Sequence, residues 1–292
     1  MQTSWGDLRV SDAHVHFFSH RFFQALVSHP QELPGIQEKL GIHLPPLDPP
    51  RLAEIWATEL NKHGVSRAAI IASVPGDEAS VLSAANAWPE RFFPYAMVNP
   101  TAENAAVAPG LKAICLFPAM HRYSLHDPRV EPLISQAEAQ RSAVFVHCGM
   151  LTVGIRRKLG LPSPFDMRFS NPLDLHAVAL RHPRTPFLIP HFGAGLLREV
   201  LMLADLCPNV YLDTSSTNSW MRYESLDLKA VMRRALDVIG PTRLLFGTDS
   251  SFFPRGWNAE IFHTQARTLY ELGLSAPDAR RIFGENLEQL FS

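Results

Sequence analysis

The 292-residue sequence predicts an α/β chain closed as a barrel of eight parallel strands, a (β/α)8 architecture. Eight short apolar, β-branched runs recur along it. Segments with helical spacing of apolar residues lie between most of them, and no repeat or low-complexity tract breaks the alternation. A parallel neighbour needs a crossover of about a dozen residues, so this order implies parallel pairing, and eight units imply closure. An open doubly wound sheet fits less well. The first strand leads into no Gly-x-Gly-x-x-Gly, and Gly193-Ala194-Gly195 is too short and misplaced for that fingerprint.

The strands are predicted at residues 8–14, 67–74, 92–98, 112–117, 143–147, 187–191, 209–213 and 243–249. Helices are predicted at 50–62, 77–88, 128–140, 172–181, 194–206, 228–239 and 258–272. Gly64 reads as a helix C-cap. Pro172 behind Asn171 and Pro128 behind Asp127 read as first-turn prolines behind N-caps. Long stretches predicted to be non-helical, 17–49, 151–171, 214–227 and 250–257, all follow strand C-termini, the rim that builds the site in such barrels. Residues 274–292 are predicted to form a last helix outside the barrel, with 1–292 as one domain.

Composition narrows the function classes. With 27 Lys+Arg against 28 Asp+Glu there is no basic footprint for nucleic acid or an anionic membrane, which leaves a small molecule as the expected partner. No run of about 18 apolar residues occurs, and the first ten residues are polar. The expectation is a soluble, cytoplasmic protein. Cys115, Cys148 and Cys207, an odd number without Cys-x-x-Cys spacing, read as buried reduced thiols.

The chemistry gathers at strand ends. In Asp12-Ala13-His14-Val15-His16, period-two alternation points His14 and His16 to the same side, where two imidazoles can share a metal. Such a pair alone equally fits hydrogen-bonded core histidines, because two ligands do not fill a four-coordinate shell. His147, His191 and Asp249 end three further predicted strands, and five metal-competent side chains on one rim favour the metal reading. Nitrogen and carboxylate ligands suit zinc first, with manganese, iron or cobalt compatible.

At these residues the chain resembles the amidohydrolase superfamily, and within it the amidohydrolase-2 group that includes aminocarboxymuconate semialdehyde decarboxylase. Besides the first-strand motif, the resemblance is carried by Phe145-Val146-His147, Ser170-Asn171-Pro172, Pro190-His191-Phe192-Gly193-Ala194-Gly195, Val210-Tyr211-Leu212-Asp213 and Phe246-Gly247-Thr248-Asp249. It implies a TIM barrel in which His14, His16, His147 and Asp249 hold one divalent metal while His191 contacts the activated water. It also implies a homodimer. Binuclear relatives carry a bridging lysine or glutamate at the fourth strand's end. Here that strand runs through Cys115-Leu116-Phe117 into Pro118, with Lys112 at its lower end, which argues for one metal and weakens a TatD-like nuclease reading.

The implied reaction is hydrolysis of a small, acidic organic molecule by a metal-activated water. A divalent cation lowers the pKa of bound water from 15.7 to about 7. Asp249 is expected to take the water's proton and pass it to the leaving group, with His191 orienting the water. The same resemblance group contains non-oxidative decarboxylases. Some carry Glu-x-His at the first strand, so His14-x-His16 leans toward hydrolysis. A non-catalytic barrel or a metal-free lactonase is a further alternative, opposed by the complete ligand set.

Substrate contacts are expected among the rim residues His121, Arg156, Arg157, Arg168, Arg222 and Arg255, whose guanidinium forks suit a carboxylate, and Phe17, Tyr223 and Trp257, which could pack on a ring. Asp213 either fixes a ligand's tautomer or caps the following turn. His63, His176, His182 and His263 lie in or at the ends of predicted helices and are assigned no chemistry. Cys148 is read as a packed thiol, since neighbouring strand residues His147 and Cys148 point to opposite faces.

Overall fold

The computed structural model describes residues 1–27, 29–215 and 220–292. After a short antiparallel hairpin, Gln2–Thr3 with Gly6–Asp7, eight strands follow: β1 (Val10–His16), β2 (Val65–Ala72), β3 (Phe92–Met97), β4 (Ala113–Leu116), β5 (Ala143–Val146), β6 (Phe187–Ile189), β7 (Val210–Asp213) and β8 (Leu244–Leu245). They pair in chain order, and every pairing is parallel. β8 is short, but the chain beyond it still meets β1. Ala13 N donates to Phe246 O at 2.8 Å, Asp249 N to His14 O at 2.9 Å and His16 N to Ser250 O at 2.7 Å. These bonds close the sheet into the predicted barrel.

Seven helices clothe it: α1 (Pro49–Lys62), α2 (Glu78–Ala87), α3 (Val130–Ala139), α4 (His176–Arg181), α5 (Leu197–Leu206), α6 (Leu228–Ile239) and α7 (Ala259–Glu271). Among the described residues none lies between β3 and β4. Asn171 caps the turn that leads into α4, its side chain accepting from Leu173 N at 3.0 Å, and Gly64 follows α1 with φ +68°. Pro128 does not open a helix. Asp127 instead accepts from Arg129 N at 3.0 Å, spending two residues on a turn, and α3 begins at Val130.

The core has two layers. Phe93, Tyr95, Phe145 and Leu188 fill the barrel interior, and Leu52, Trp56, Val130 and Leu203 belong to the layer between strands and helices. Each such apolar side chain contributes about 1.5–3 kcal/mol by leaving water. The C-terminal stretch forms the expected last helix, continuous from Ala276 to Leu290 with a π-helical turn at Arg281–Glu285 inside it. This stretch plugs the lower mouth, with the Phe291 ring 5.2 Å from Phe93 and Phe246 N donating to Ile282 O at 3.0 Å. Lys112 donates to Phe291 O there at 3.1 Å, far from the upper rim.

Two of the stretches expected to be non-helical are folded. Residues 17–49 contain helices His20–Gln24 and Leu33–Leu40, and 151–171 contains Gly154–Lys158. Pro34 and Gly35 obscured the second of these in the sequence, although proline is tolerated in a helix's first turn. Phe22, Phe23, Leu33, Ile36, Leu40, Ile42 and Ile155 form a separate apolar cluster that joins the two segments into a lid. Residues 216–219 of the predicted 214–227 stretch, and Ser28, lie outside the described residues. No described helix is long and apolar enough to cross a membrane.

Candidate metal centre

β1 delivers His14 and His16 to the upper mouth through a register shift between Asp12 and Val15. The segment leaving β8 delivers Asp249 at φ +58°, and the one leaving β6 delivers His191 at φ +57° and Phe192 at φ +49°. Non-glycine residues in this left-handed region cost about 1–3 kcal/mol each and persist where surrounding structure over-determines them. Gly193 must be glycine: at φ +77°, an added Cβ would lie 2.2 Å from a Val200 methyl.

Three ligand atoms converge. His16 Nε2 lies 3.0 Å from Asp249 Oδ1, His14 Nε2 3.7 Å from that oxygen, and the two Nε2 atoms 3.4 Å apart. Ligands about 2.0–2.2 Å from a tetrahedral zinc stand about 3.3–3.6 Å from one another, so the triangle fits that ion. The opposite nitrogens are engaged. His14 Nδ1 donates to Asp213 Oδ2 at 2.6 Å, and His16 Nδ1 donates to Ser73 Oγ at 2.6 Å, leaving both Nε2 lone pairs facing inward. His14, His16 and Asp249 are the described residues whose ligand atoms gather within 4.8 Å. His147, the fourth ligand implied by the resemblance, stands beside them. Its ring stacks on Phe117 at 5.3 Å and lies 5.3 Å from His191, and its buried Nδ1 has no hydrogen-bond partner.

Asp213, expected either to fix a ligand's tautomer or to cap the following turn, does both, and it holds this arrangement with Asp12 and with hydroxyls unmarked in the sequence. Ser215 Oγ sits 3.0 Å from His14 Nδ1 and 2.9 Å from His191 Nδ1, and Ser215 N donates to Asp213 Oδ1 at 2.6 Å. His191 Nδ1 donates to Ser215 O at 3.0 Å, which leaves its Nε2 as an acceptor. Asp12 joins the two ligand-bearing strand ends. Its carboxylate accepts from His14 N at 2.9 Å, Thr248 N at 3.1 Å, Thr248 Oγ1 at 2.5 Å and Trp257 Nε1 at 2.7 Å. Burial raises Asp12 to about 6, against the pull of these donors.

Charge follows the same geometry. Burial holds His147 well below the ordinary histidine value, with His191 and His14 adding to the effect. Burial lowers His16 and His191 as well. Burial opposes charge on His14 too, but the Asp213 carboxylate beside it raises its pKa. Burial works against the Asp249 carboxylate, yet His16 and His14 hold it far below the usual range. Burial pushes the Cys148 thiol far up, as befits a packed side chain.

The centre floors a cavity of about 610 Å³ lined by His14, His16, His147, His191 and Asp249. Of the expected rim residues, Arg156 and Arg255 also line it. Arg255 donates to Ser251 Oγ at 2.7 Å and rests over the Phe252 ring at 4.8 Å. The others lie elsewhere. Trp257 is buried, its N–H spent on Asp12 and its ring 5.2 Å from His63, because a buried indole needs an acceptor. Arg222 is exposed and donates to Tyr223 Oη at 2.8 Å. His121 lies outside the lining beside Tyr123, and burial pushes it down to about 4. Phe17 is a core residue, and Arg168 pairs with Asp166 at 2.6 Å in solvent.

Comparison with known proteins agrees with this fold. A stretch of 85 residues, 29% of this chain, is 33% identical to Protein fluG of Emericella nidulans, and the match spans a tenth of that protein's length. An amidohydrolase from Burkholderia multivorans solved with bound zinc superposes with a TM-score of 0.62 at 16% identity, over 97% of this chain and 99% of that one. A 5-carboxyvanillate decarboxylase from Novosphingobium aromaticivorans, solved with manganese, gives 0.63 at 14% identity over 100% and 99%. The family model described as Amidohydrolase matches residues 11–292, so the chain belongs to the amidohydrolase-2 family.

Proposed function

We propose that this chain is a metal-dependent hydrolase of a small organic acid, with one divalent ion held by His14, His16 and Asp249 and joined by His147. The observation that carries the reading is the triangle of two imidazole Nε2 atoms and one carboxylate oxygen, 3.0–3.7 Å on its edges, with both opposite imidazole nitrogens hydrogen-bonded. A divalent ion at that point supplies Lewis acidity, which acidifies water and polarises a carbonyl. Zinc suits the imidazole ligands, and the similar structures were solved with zinc or manganese.

The chain's own groups supply the rest. Asp249 stays ionised, so its carboxylate accepts the proton of the attacking water and returns it to the leaving group. His191 is neutral at pH 7 because burial lowers its pKa, and its free Nε2 accepts a hydrogen bond that orients the water. Arg156, Lys158 and Arg255 line the cavity against one carboxylate, Asp249, which favours an anionic substrate. The fold shared with a decarboxylase supports a second reading, loss of carbon dioxide from a carboxylated ring. The test is a screen of the zinc- or manganese-loaded protein against carboxylated lactones, esters, amides and hydroxybenzoates, with acid production and carbon dioxide release measured separately. Hydrolysis abolished by Asp249→Ala is the expected result. Carbon dioxide release without hydrolysis would move the assignment to the second reading, and turnover retained in Asp249→Ala would overturn the role of that carboxylate.

A further inference from the structure

The cavity is far larger than its polar floor requires. A void of about 150 Å³ holds one benzene ring, and this one measures about 610 Å³, roughly four times as much. The histidines and Asp249 form its floor. The lid contributes Phe18, Leu26, Leu40, Ile42, Leu151 and Ile155 to the wall, beside the cations Arg156 and Lys158. The lid is built as a unit. Helix Leu33–Leu40 packs against Gly154–Lys158, Lys39 Nζ donates to Leu159 O at 3.3 Å, and Leu40 and Ile42 belong with Ile155 to one apolar cluster. A compact acid would be served by the floor and the lining cations alone, and the apolar lid residues beyond them would offer it no partner.

We infer that the substrate is amphipathic: its reacting group lies at the histidine floor while an apolar body larger than one ring fills the lid chamber. Leu26, Leu40, Ile42 and Ile155 are then specificity-determining. The inference rests on the metal reading of the floor and adds the part of the substrate that the floor does not touch. A buried methylene contributes about 0.8 kcal/mol, or about fourfold in affinity, so chain length reads the chamber directly.

The experiment compares acetohydroxamate with octanohydroxamate on the zinc-loaded full chain by titration calorimetry, hydroxamate being a metal-chelating head. The six added methylenes are expected to tighten binding by at least about 100-fold. Ala25→Trp, at an exposed position whose side chain lines the chamber, is expected to cut that gain to under about tenfold by filling the space. Leu26→Asp provides an independent check by setting a charge in the chain's path. If acetohydroxamate binds and the longer chain adds less than about threefold, the apolar body is refuted while the metal reading stands. A full gain retained in both variants also refutes it, because the chain then lies elsewhere. If neither probe binds, the floor is not a metal centre and the inference falls with it.

Discussion

Asp213→Asn isolates how the fold aims a ligand. Asp213 is buried and receives two N–H donors, His14 Nδ1 at Oδ2 and Ser215 N at Oδ1, both at 2.6 Å. Asparagine has the same shape but one acceptor oxygen, so its NH2 must face one of those donors. With Gly247 so close that an added Cβ would stand 2.7 Å from Asp213 Oδ1, there is no room for the amide to turn away. The variant loses one charge-assisted hydrogen bond, about 1.5–3 kcal/mol, and the charge that makes His14 a basic ligand. That energy corresponds to about 10–150-fold, which agrees with the 10–100-fold loss of metal affinity typical when a ligand's outer partner is removed. Zinc affinity measured by chelator competition at pH 7.5, with circular dichroism to establish the fold, provides the assay. A dissociation constant within about twofold of wild type in a folded variant would refute the claim that Asp213 sets the tautomer of His14.

Further outcomes follow from the same geometry. Ser73→Ala removes the acceptor for His16 Nδ1 and is expected to weaken zinc binding about tenfold by the same competition assay. Metal binding should release a proton from His14. Its raised pKa keeps it charged in the metal-free chain below its folded value, whereas His16 is already neutral, so calorimetry in buffers of different ionisation enthalpy should read at least about half a proton at pH 6.5 and progressively less as pH rises. The same shift means that the stability His14 gives the metal-free chain is full below pH 6.5 and lost as pH rises through the folded value. A proton release near zero at pH 6.5 would contradict the ion pair. Gly149→Ala, at φ +73° with the new Cβ 1.9 Å from Gly193 O, is expected to cost more than about 3 kcal/mol in thermal unfolding. The native chain should resist iodoacetamide at pH 8 and label at all 3 cysteines after unfolding, since each thiol is buried.

The parts legible in the sequence are those with a periodic or spaced signature. β1 is readable from Asp12-Ala13-His14-Val15-His16 because alternation places both imidazoles on one side, and His147, His191 and Asp249 are readable because ligand types end strands. The lid was not legible. Pro34 and Gly35 hide a helix whose apolar residues share one cluster with Phe22, Phe23 and Ile42 nearby and with Ile155, more than 100 residues away. Trp257 sits in a rim segment by chain order yet turns inward to Asp12, a choice made by an acceptor the sequence does not place beside it. Ser73 and Ser215 carry no signal as residue types, and their importance arises from hydroxyls brought within 3.0 Å of imidazole nitrogens from other strands. The last strand shrinks to two residues because Gly247 and Thr248 spend their N–H groups on the Thr214 and Asp12 side chains, and the chain returns to β1 only at Asp249, whose N–H donates to His14 O from the left-handed region.

Metal content per chain tests the central claim most directly. Elemental analysis would compare wild type with a His14→Ala, His16→Ala double variant, each reconstituted with zinc and desalted. The arrangement of His14, His16 and Asp249 predicts about one equivalent in wild type and a small fraction of that in the variant, with circular dichroism unchanged. No zinc retained by wild type, or a full equivalent retained by the folded double variant, would contradict a metal centre at the barrel's upper mouth.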